Sequence, residues 1–260
     1  MSHANALRQP SIAFPPDVLA HGPSQDFTVR PLNDALGAEI VGIDLARALS
    51  AADFARVRRA HLDHHLVVFR DQRITPRQHI DFSRRFGRLM IHVLHQFHLA
   101  HNPEILVVSN IVENGAPVGL GDAGKYWHSD ISYKPLPSLG SLLHAQELPA
   151  IGGDTLFANM HRAYETLPRA LREAVDGRRA LFVSEGFTTR IEGVAADESR
   201  QILDELFAHS TRSEHIYRHQ WRDHDLVFWD NRSLIHLAAG CPPELRRKLY
   251  RTTIEGDAPF

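Results

Sequence analysis

Cysteine is almost absent from this 260-residue chain, with Cys241 the one thiol. No intrachain disulfide and no cysteine-based zinc site can be built from it, and a reducing cytoplasm is the compartment this composition points to. Long apolar runs are missing as well. Nothing approaches the ~18–20 residues that cross a bilayer, and the opening MSHANALRQPSIAFPPD has no continuous apolar stretch of the kind a secretory signal needs. Charge of one sign is also scarce. The 29 Lys and Arg against 31 Asp and Glu give a formal charge of -2, so neither nucleic acid nor an anionic membrane is an expected partner. There is no internal repeat, and no Pro/Gly/Ser linker divides the interior. These absences leave a loose arm over residues 1–25 and a single domain over 26–260. A chain of this length buries about three quarters of its unfolded surface and folds without staples.

What the chain does have is histidine, 18 of them, the common metal ligand and neutral-pH acid or base. It also has many short apolar runs at strand length, punctuated by turns. FTVRPL, AEIVGIDL, LVVFR and EILVVSN read as strands in the first half. Residues 127–133, 139–148, 154–158 and 180–184 do so in the second, with EHIYRHQW, DLVFWDN and RRKLYRTTI after them. Helices are expected over Ala51–His64 behind Ser50, from Thr75-Pro76 to about Gly87, over His161–Val175, and from Asp197 to about His209. ENGAPVGLGDAGK reads as a glycine-rich loop. The class is mainly β with flanking helices, an antiparallel sandwich or barrel core.

His-x-Asp occurs three times, as His61/Asp63, His79/Asp81 and His128/Asp130, and composition alone gives roughly one such pair by chance. The first two fall in helices, where residues two apart point to nearly opposite sides. Trp127-His128-Ser129-Asp130-Ile131 reads as strand, where positions two apart share a face and can meet one ion. A catalytic centre of two imidazoles and a carboxylate needs a second histidine, and His236, after the buried-looking DLVFWDN, is the strongest candidate. Arg247 and Arg251 lie four apart on one strand and so project from one face. Two inward guanidiniums need anions, and Arg suits bidentate carboxylate recognition.

W-H-x-D, G-G-D-T-L-F, W-D-N-R-x-x-x-H and R-R-x-x-x-R, in that order, resemble the TauD/TfdA family of Fe(II)/2-oxoglutarate-dependent dioxygenases. The resemblance runs from Val29 to Asp257 and is strongest, through E-G-F-T-T-R at 185–190, to members acting on taurine. It implies a double-stranded β-helix (a jelly-roll, cupin-like core), with Fe(II), 2-oxoglutarate and O2 as the reacting set. It further implies that His128, Asp130 and His236 hold iron, and that Thr155 and Arg247 hold the distal carboxylate of 2-oxoglutarate. Arg251, His92, Phe187 and His95 are then expected to line the pocket of a small anionic substrate, taurine or a related sulfonate first, a sulfate ester or aryloxyalkanoate as the alternative. A homodimer or tetramer is the implied assembly. Trp127 and Trp229 are candidates for the walls of the site.

The chain departs from the family pattern in three places. Gly124 replaces an asparagine shortly before W-H-x-D, and His95 stands where a pocket tyrosine is found. Dozens of residues, including a lid and a core strand, normally precede A-L-F-V, but here AVDGRRALFV closes the distance. Loss of a core strand leaves neighbouring backbone groups unpaired, so a lid segment missing near 177–179 is the expectation. Two other readings fit less of the chain. A zinc hydrolase leaves Thr155, Arg247 and Arg251 without a role, and a metal-free ligand-binding barrel leaves the triad without one.

Overall fold

The computed structural model describes residues 22–121, 123–174 and 181–257. The connection at 177–179, where a lid segment is expected to be missing, lies outside these residues, as do residues 1–21. From the N-terminus the elements are β1 (Thr28–Pro31), β2 (Ala38–Val41), α1 (Ala51–His64), β3 (Leu66–Phe69), α2 (Pro76–Arg84), β4 (His98–Leu99) and β5 (Asn102–Ser109). Then come β6 (Val112–Glu113), β7 (Ala116–Pro117), β8 (Ser138–Glu147), β9 (Thr155–Asn159), α3 (Met160–Glu165), α4 (Arg169–Ala174) and α5 (Ala196–Ser210). β10 (Ile216–His219), β11 (Leu226–Asp230), β12 (Leu234–Ala238) and β13 (Lys248–Glu255) complete the chain.

Among the described residues, the large sheet runs β1-β2-β3-β11-β8-β13-β5-β4, and a second sheet runs β10-β9-β12. The mainly-β, jelly-roll expectation holds. The continuous apolar runs LVVF and LVFWD are explained by burial on both faces. Val67, Phe69, Leu226 and Phe228 pack under α1 and α2 with Val57, Ile80 and Phe82. Their alternates Leu66, Val68, Val227 and Trp229 fill the interior between the sheets with Leu106, Leu143, Phe157 and Leu249. Each such side chain contributes about 1.5–3 kcal/mol of burial. The interior face of β13 therefore carries Leu249 and Arg251 together.

The helices on the first face are set by their caps. Thr75 and Gln78 form a full capping box with Pro76 at the first turn of α2. Ser50 caps α1 through the Asp53 amide, and Asp53 in turn accepts from the Gln25 amide at 2.9 Å. Gln25 is buried. Gln25, within the stretch expected to be a loose arm, is thus tied into the domain.

Several local expectations are corrected. Residues 127–133 form no strand. His128 makes a single antiparallel bridge to His236, and Ile131 turns the chain at φ 59°. The helix expected over 161–175 is two helices, because Pro168 offers no amide and disfavours helical backbone in the residue before it. Leu181–Ser184 form no strand among the described residues, and Leu181 instead donates to the Met160 carbonyl at 3.2 Å. Asp197 lies inside the first turn of α5, and Ala195 occupies its cap position. Asn114-Gly115, both at positive φ, close a β6–β7 hairpin within the expected glycine-rich loop.

Candidate metal centre and co-substrate pocket

His128, Asp130 and His236 come together at one end of the interior, all three buried, with one ligand atom from each lying within 4.8 Å of the others. His236 stands on β12. His128 is held beside it by two backbone hydrogen bonds, His128 N to His236 O at 3.0 Å and His236 N to His128 O at 2.7 Å. The chain then turns at Asp130, so the carboxylate reaches the pair by a bend rather than along a strand face. The other His-x-Asp pairs split as helix geometry requires. His61 and His79 are buried, while Asp63 and Asp81 lie at the surface in ion pairs with Arg59 and Arg77.

The hydrogen bonds prepare the donors. His128 Nδ1 lies 2.9 Å from the Tyr126 carbonyl, which fixes the proton there and leaves Nε2 free to ligate. Asp130 Oδ2 accepts from Ser141 Oγ at 2.7 Å, and Oδ1 accepts from Arg251 Nη1 at 3.1 Å. Asn231 steadies the bend, its Oδ1 accepting from the Asp130 amide at 3.3 Å and from Trp229 Nε1 at 2.8 Å. Burial opposes ionisation of Asp130, but the Arg251 guanidinium and the neighbouring histidines outweigh it and hold the carboxyl well below its usual range. Burial, then the proximity of His128, pushes His236 down to about 3. The centre thus offers the neutral imidazole of His236, the Nε2 of His128 and a carboxylate.

Two imidazoles and a carboxylate, each with a ligand atom within 4.8 Å of the others, are a donor set that suits ferrous iron. Gly124 adds a steric condition. At φ +77°, a Cβ there would lie 2.8 Å from His128 Cε1, so the bare glycine makes room for the imidazole. That places the departure at Gly124 against a ligand rather than at the substrate's far end.

Thr155 lies on β9 one pleat repeat from Phe157, which pairs with His236 of β12, and Arg247 lies just before β13. Arg247 Nε donates to the Gly153 carbonyl at 3.2 Å, two residues before Thr155. Burial, partly offset by the nearby Cys241 and Asp154, pushes Arg247 down to about 10. Thr155 is buried, and its Oγ accepts from Trp221 Nε1 at 3.1 Å.

Of the expected pocket residues, Phe187 faces the centre, its ring centroid 6.1 Å from that of His128. His92 is half-buried within the field of Arg251 and Asp130, and burial followed by Arg251 lowers its pKa. Its Nδ1 accepts from the Leu94 amide at 3.2 Å, so the proton sits on Nε2. His95 is exposed on a short 3-10 turn, its ring packed on His98, and no contact joins it to the centre. Trp127 packs against the α3–α5 cluster, whereas Trp229 lies 4.8 Å from the His236 ring and walls the site. Ser141, Trp221 and Tyr126 escaped sequence reading, while Asn231 lay inside the visible W-D-N-R motif.

A jelly roll carrying this triad defines a non-haem iron oxygenase centre. The family model for taurine catabolism dioxygenase TauD, TfdA family, matches residues 28–177 and 174–253. A 2,4-dichlorophenoxyacetate dioxygenase of Cupriavidus pinatubonensis is 30% identical over 280 residues, covering 88% of this chain and 97% of the relative. An alpha-ketoglutarate-dependent sulfate ester dioxygenase of Pseudomonas putida is 26% identical over 288 residues, covering 90% of this chain and 91% of that protein. The crystal structure of a taurine dioxygenase from Burkholderia xenovorans matches with a TM-score of 0.79 and 33% identity over 90% of each chain. The chain belongs to the TauD/TfdA family of 2-oxoglutarate-dependent dioxygenases, which use Fe(II), 2-oxoglutarate and O2. Among the described residues no helix is long and apolar enough to cross a membrane.

Proposed function

We propose that the enzyme hydroxylates a small organic anion at the carbon next to its anionic group, and that a sulfonate, with taurine tried first, is the substrate. When bound, iron and 2-oxoglutarate supply the oxidising power, O2 and the keto acid being converted to succinate and CO2 as the C–H bond is hydroxylated. The chain's part is to bind and orient. His128, Asp130 and His236 hold the ion. Arg247 and the Thr155 hydroxyl take the distal carboxylate of the keto acid. Arg251 and the Nε2–H of His92 face the substrate anion, and Phe187 packs on its carbon body.

The observation that carries the reading is Arg251, buried and 3.1 Å from the metal ligand Asp130, with a second guanidinium, Arg247, just before the start of β13. Hydroxylation beside a sulfonate gives an adduct that collapses to an aldehyde and sulfite.

One feature favours an aryloxyalkanoate as a second reading. Tyr126 and Tyr133 lie 6.0 and 5.1 Å from the Phe187 ring, and Tyr126 itself lies 5.4 Å from His128. Gly186 lets Tyr126 pack there, since a Cβ would fall 2.2 Å from its ring. Three aromatic rings offer faces and edges on which an aryl body can stack. The test is succinate and sulfite release from taurine, longer alkanesulfonates, an alkyl sulfate and an aryloxyacetate under Fe(II), ascorbate and 2-oxoglutarate. Sulfite in step with succinate supports the first reading. Succinate coupled only to the aryloxy acid replaces it with the second, and no coupled turnover with any anion refutes both.

A further inference from the structure

Behind Thr155 lies a buried polar cluster with no part in holding the metal. Asp225 and His219 are both completely buried. Asp225 Oδ2 accepts from Arg70 Nη1 at 2.5 Å and from the Arg222 amide at 2.8 Å, and lies 3.2 Å from His219 Nε2. His219 Nδ1 meets the Tyr217 hydroxyl at 3.1 Å, and its backbone pairs with Thr155 across β10 and β9. The Trp221 ring stands edge-on to the His219 ring, 4.6 Å between centroids at 86°. From that position the indole N–H reaches Thr155 Oγ.

We propose that Trp221 is a positioning residue for the co-substrate: its indole N–H holds the Thr155 hydroxyl so that the hydroxyl proton is presented to the distal carboxylate of 2-oxoglutarate. The chemistry is one-directional. An indole N–H donates only, so Thr155 cannot donate back to it. With one lone pair taken by Trp221, the hydroxyl proton is left to the interior, where Arg247 sits beyond Gly153. An anion arriving there receives a charged and a neutral donor already oriented, and no rotor has to be frozen on binding. The Arg70–Asp225–His219 cluster keeps the indole in place, which gives this costly buried group a function. The inference rests on the assignment of Thr155 and Arg247 to 2-oxoglutarate.

A double-mutant cycle with Trp221→Phe and Thr155→Val tests it, read as the dissociation constant of 2-oxoglutarate by calorimetry on the metal-free and the Mn(II)-loaded protein. Phe keeps the ring and removes the N–H, and the unfolding midpoint reports whether the variants fold. Loss of one neutral hydrogen bond corresponds to about a 3–10-fold weaker keto-acid affinity for Trp221→Phe. In the Thr155→Val background the same change is expected to do nothing further. With saturating 2-oxoglutarate, kcat of Trp221→Phe is expected to stay within about twofold while KM for the keto acid rises. Additive effects, or an unchanged dissociation constant for Trp221→Phe beside a raised one for Thr155→Val, overturn the role of Trp221 and leave the co-substrate site standing. If Thr155→Val and Arg247→Ala both leave 2-oxoglutarate binding unchanged, the co-substrate assignment itself falls, and the proposal with it.

Discussion

Replacing Arg251 by Met should destabilise the metal-free enzyme far more than the metal-loaded one. Arg251 is 9% exposed and Asp130 is 6% exposed, so neither end of their 3.1 Å ion pair is shielded by water. Removing one partner of a buried pair costs about 3–5 kcal/mol, because the other charge is left behind. Ser141 still donates to Asp130, which places the loss toward the lower end. At about 2–4 °C per kcal/mol for a chain of this size, the melting temperature of metal-free Arg251→Met should fall by about 6–15 °C. A divalent ion at the centre is a replacement counter-charge for Asp130, so saturating Mn(II) should recover a larger share of stability in the variant than in the parent. Urea unfolding with chelator and with Mn(II) gives all four values. Equal destabilisation with and without metal would show that Arg251 does not act through Asp130. A loss below about 1 kcal/mol would show that the pair behaves as a surface one.

Further predictions concern the co-substrate, the glycine at the centre and pH. Arg247→Ala should raise the 2-oxoglutarate requirement by orders of magnitude, since about 3–5 kcal/mol of charge pairing is lost; an unchanged dissociation constant in calorimetry removes Arg247 from the pocket. Gly124→Ala introduces a Cβ 2.8 Å from His128 Cε1 on a backbone at φ +77°, so Mn(II) affinity should drop at least about tenfold, and an unaltered affinity means the imidazole has room to move. Away from the metal, burial holds His61 near about 4, His79 near about 3 and His144 near about 4. Their folded values are depressed, so the stability they give is complete above the unfolded value of about 6.5 and is lost as pH falls toward 4. Between pH 7 and 5.5 each should cost about 1 kcal/mol, together about 3–4, and a flat urea midpoint over that range contradicts their burial in the neutral form.

Sequence alone determined the mainly-β class, the caps of α1 and α2, and the three residues of the metal cluster. Each is written in short-range chemistry: apolar runs buried on both faces, a Thr-Pro start answered by a Gln, and residue types that only a metal or an anion explains together. Helix geometry also separated the true His-x-Asp pair from its two chance copies. Only the tertiary structure decided how that pair works. The residues from His128 to Ile131 look like strand, but His236 supplies just one bridge and the chain bends to bring Asp130 in. Arg251 meets Asp130 across a sequence separation of 121 residues, and Trp221 reaches Thr155 across 66. Local propensity depends on neighbours along the chain. Which side chain a buried donor finds depends on strand register and on which loop turns inward, and those are fixed only once the two sheets close on a common interior.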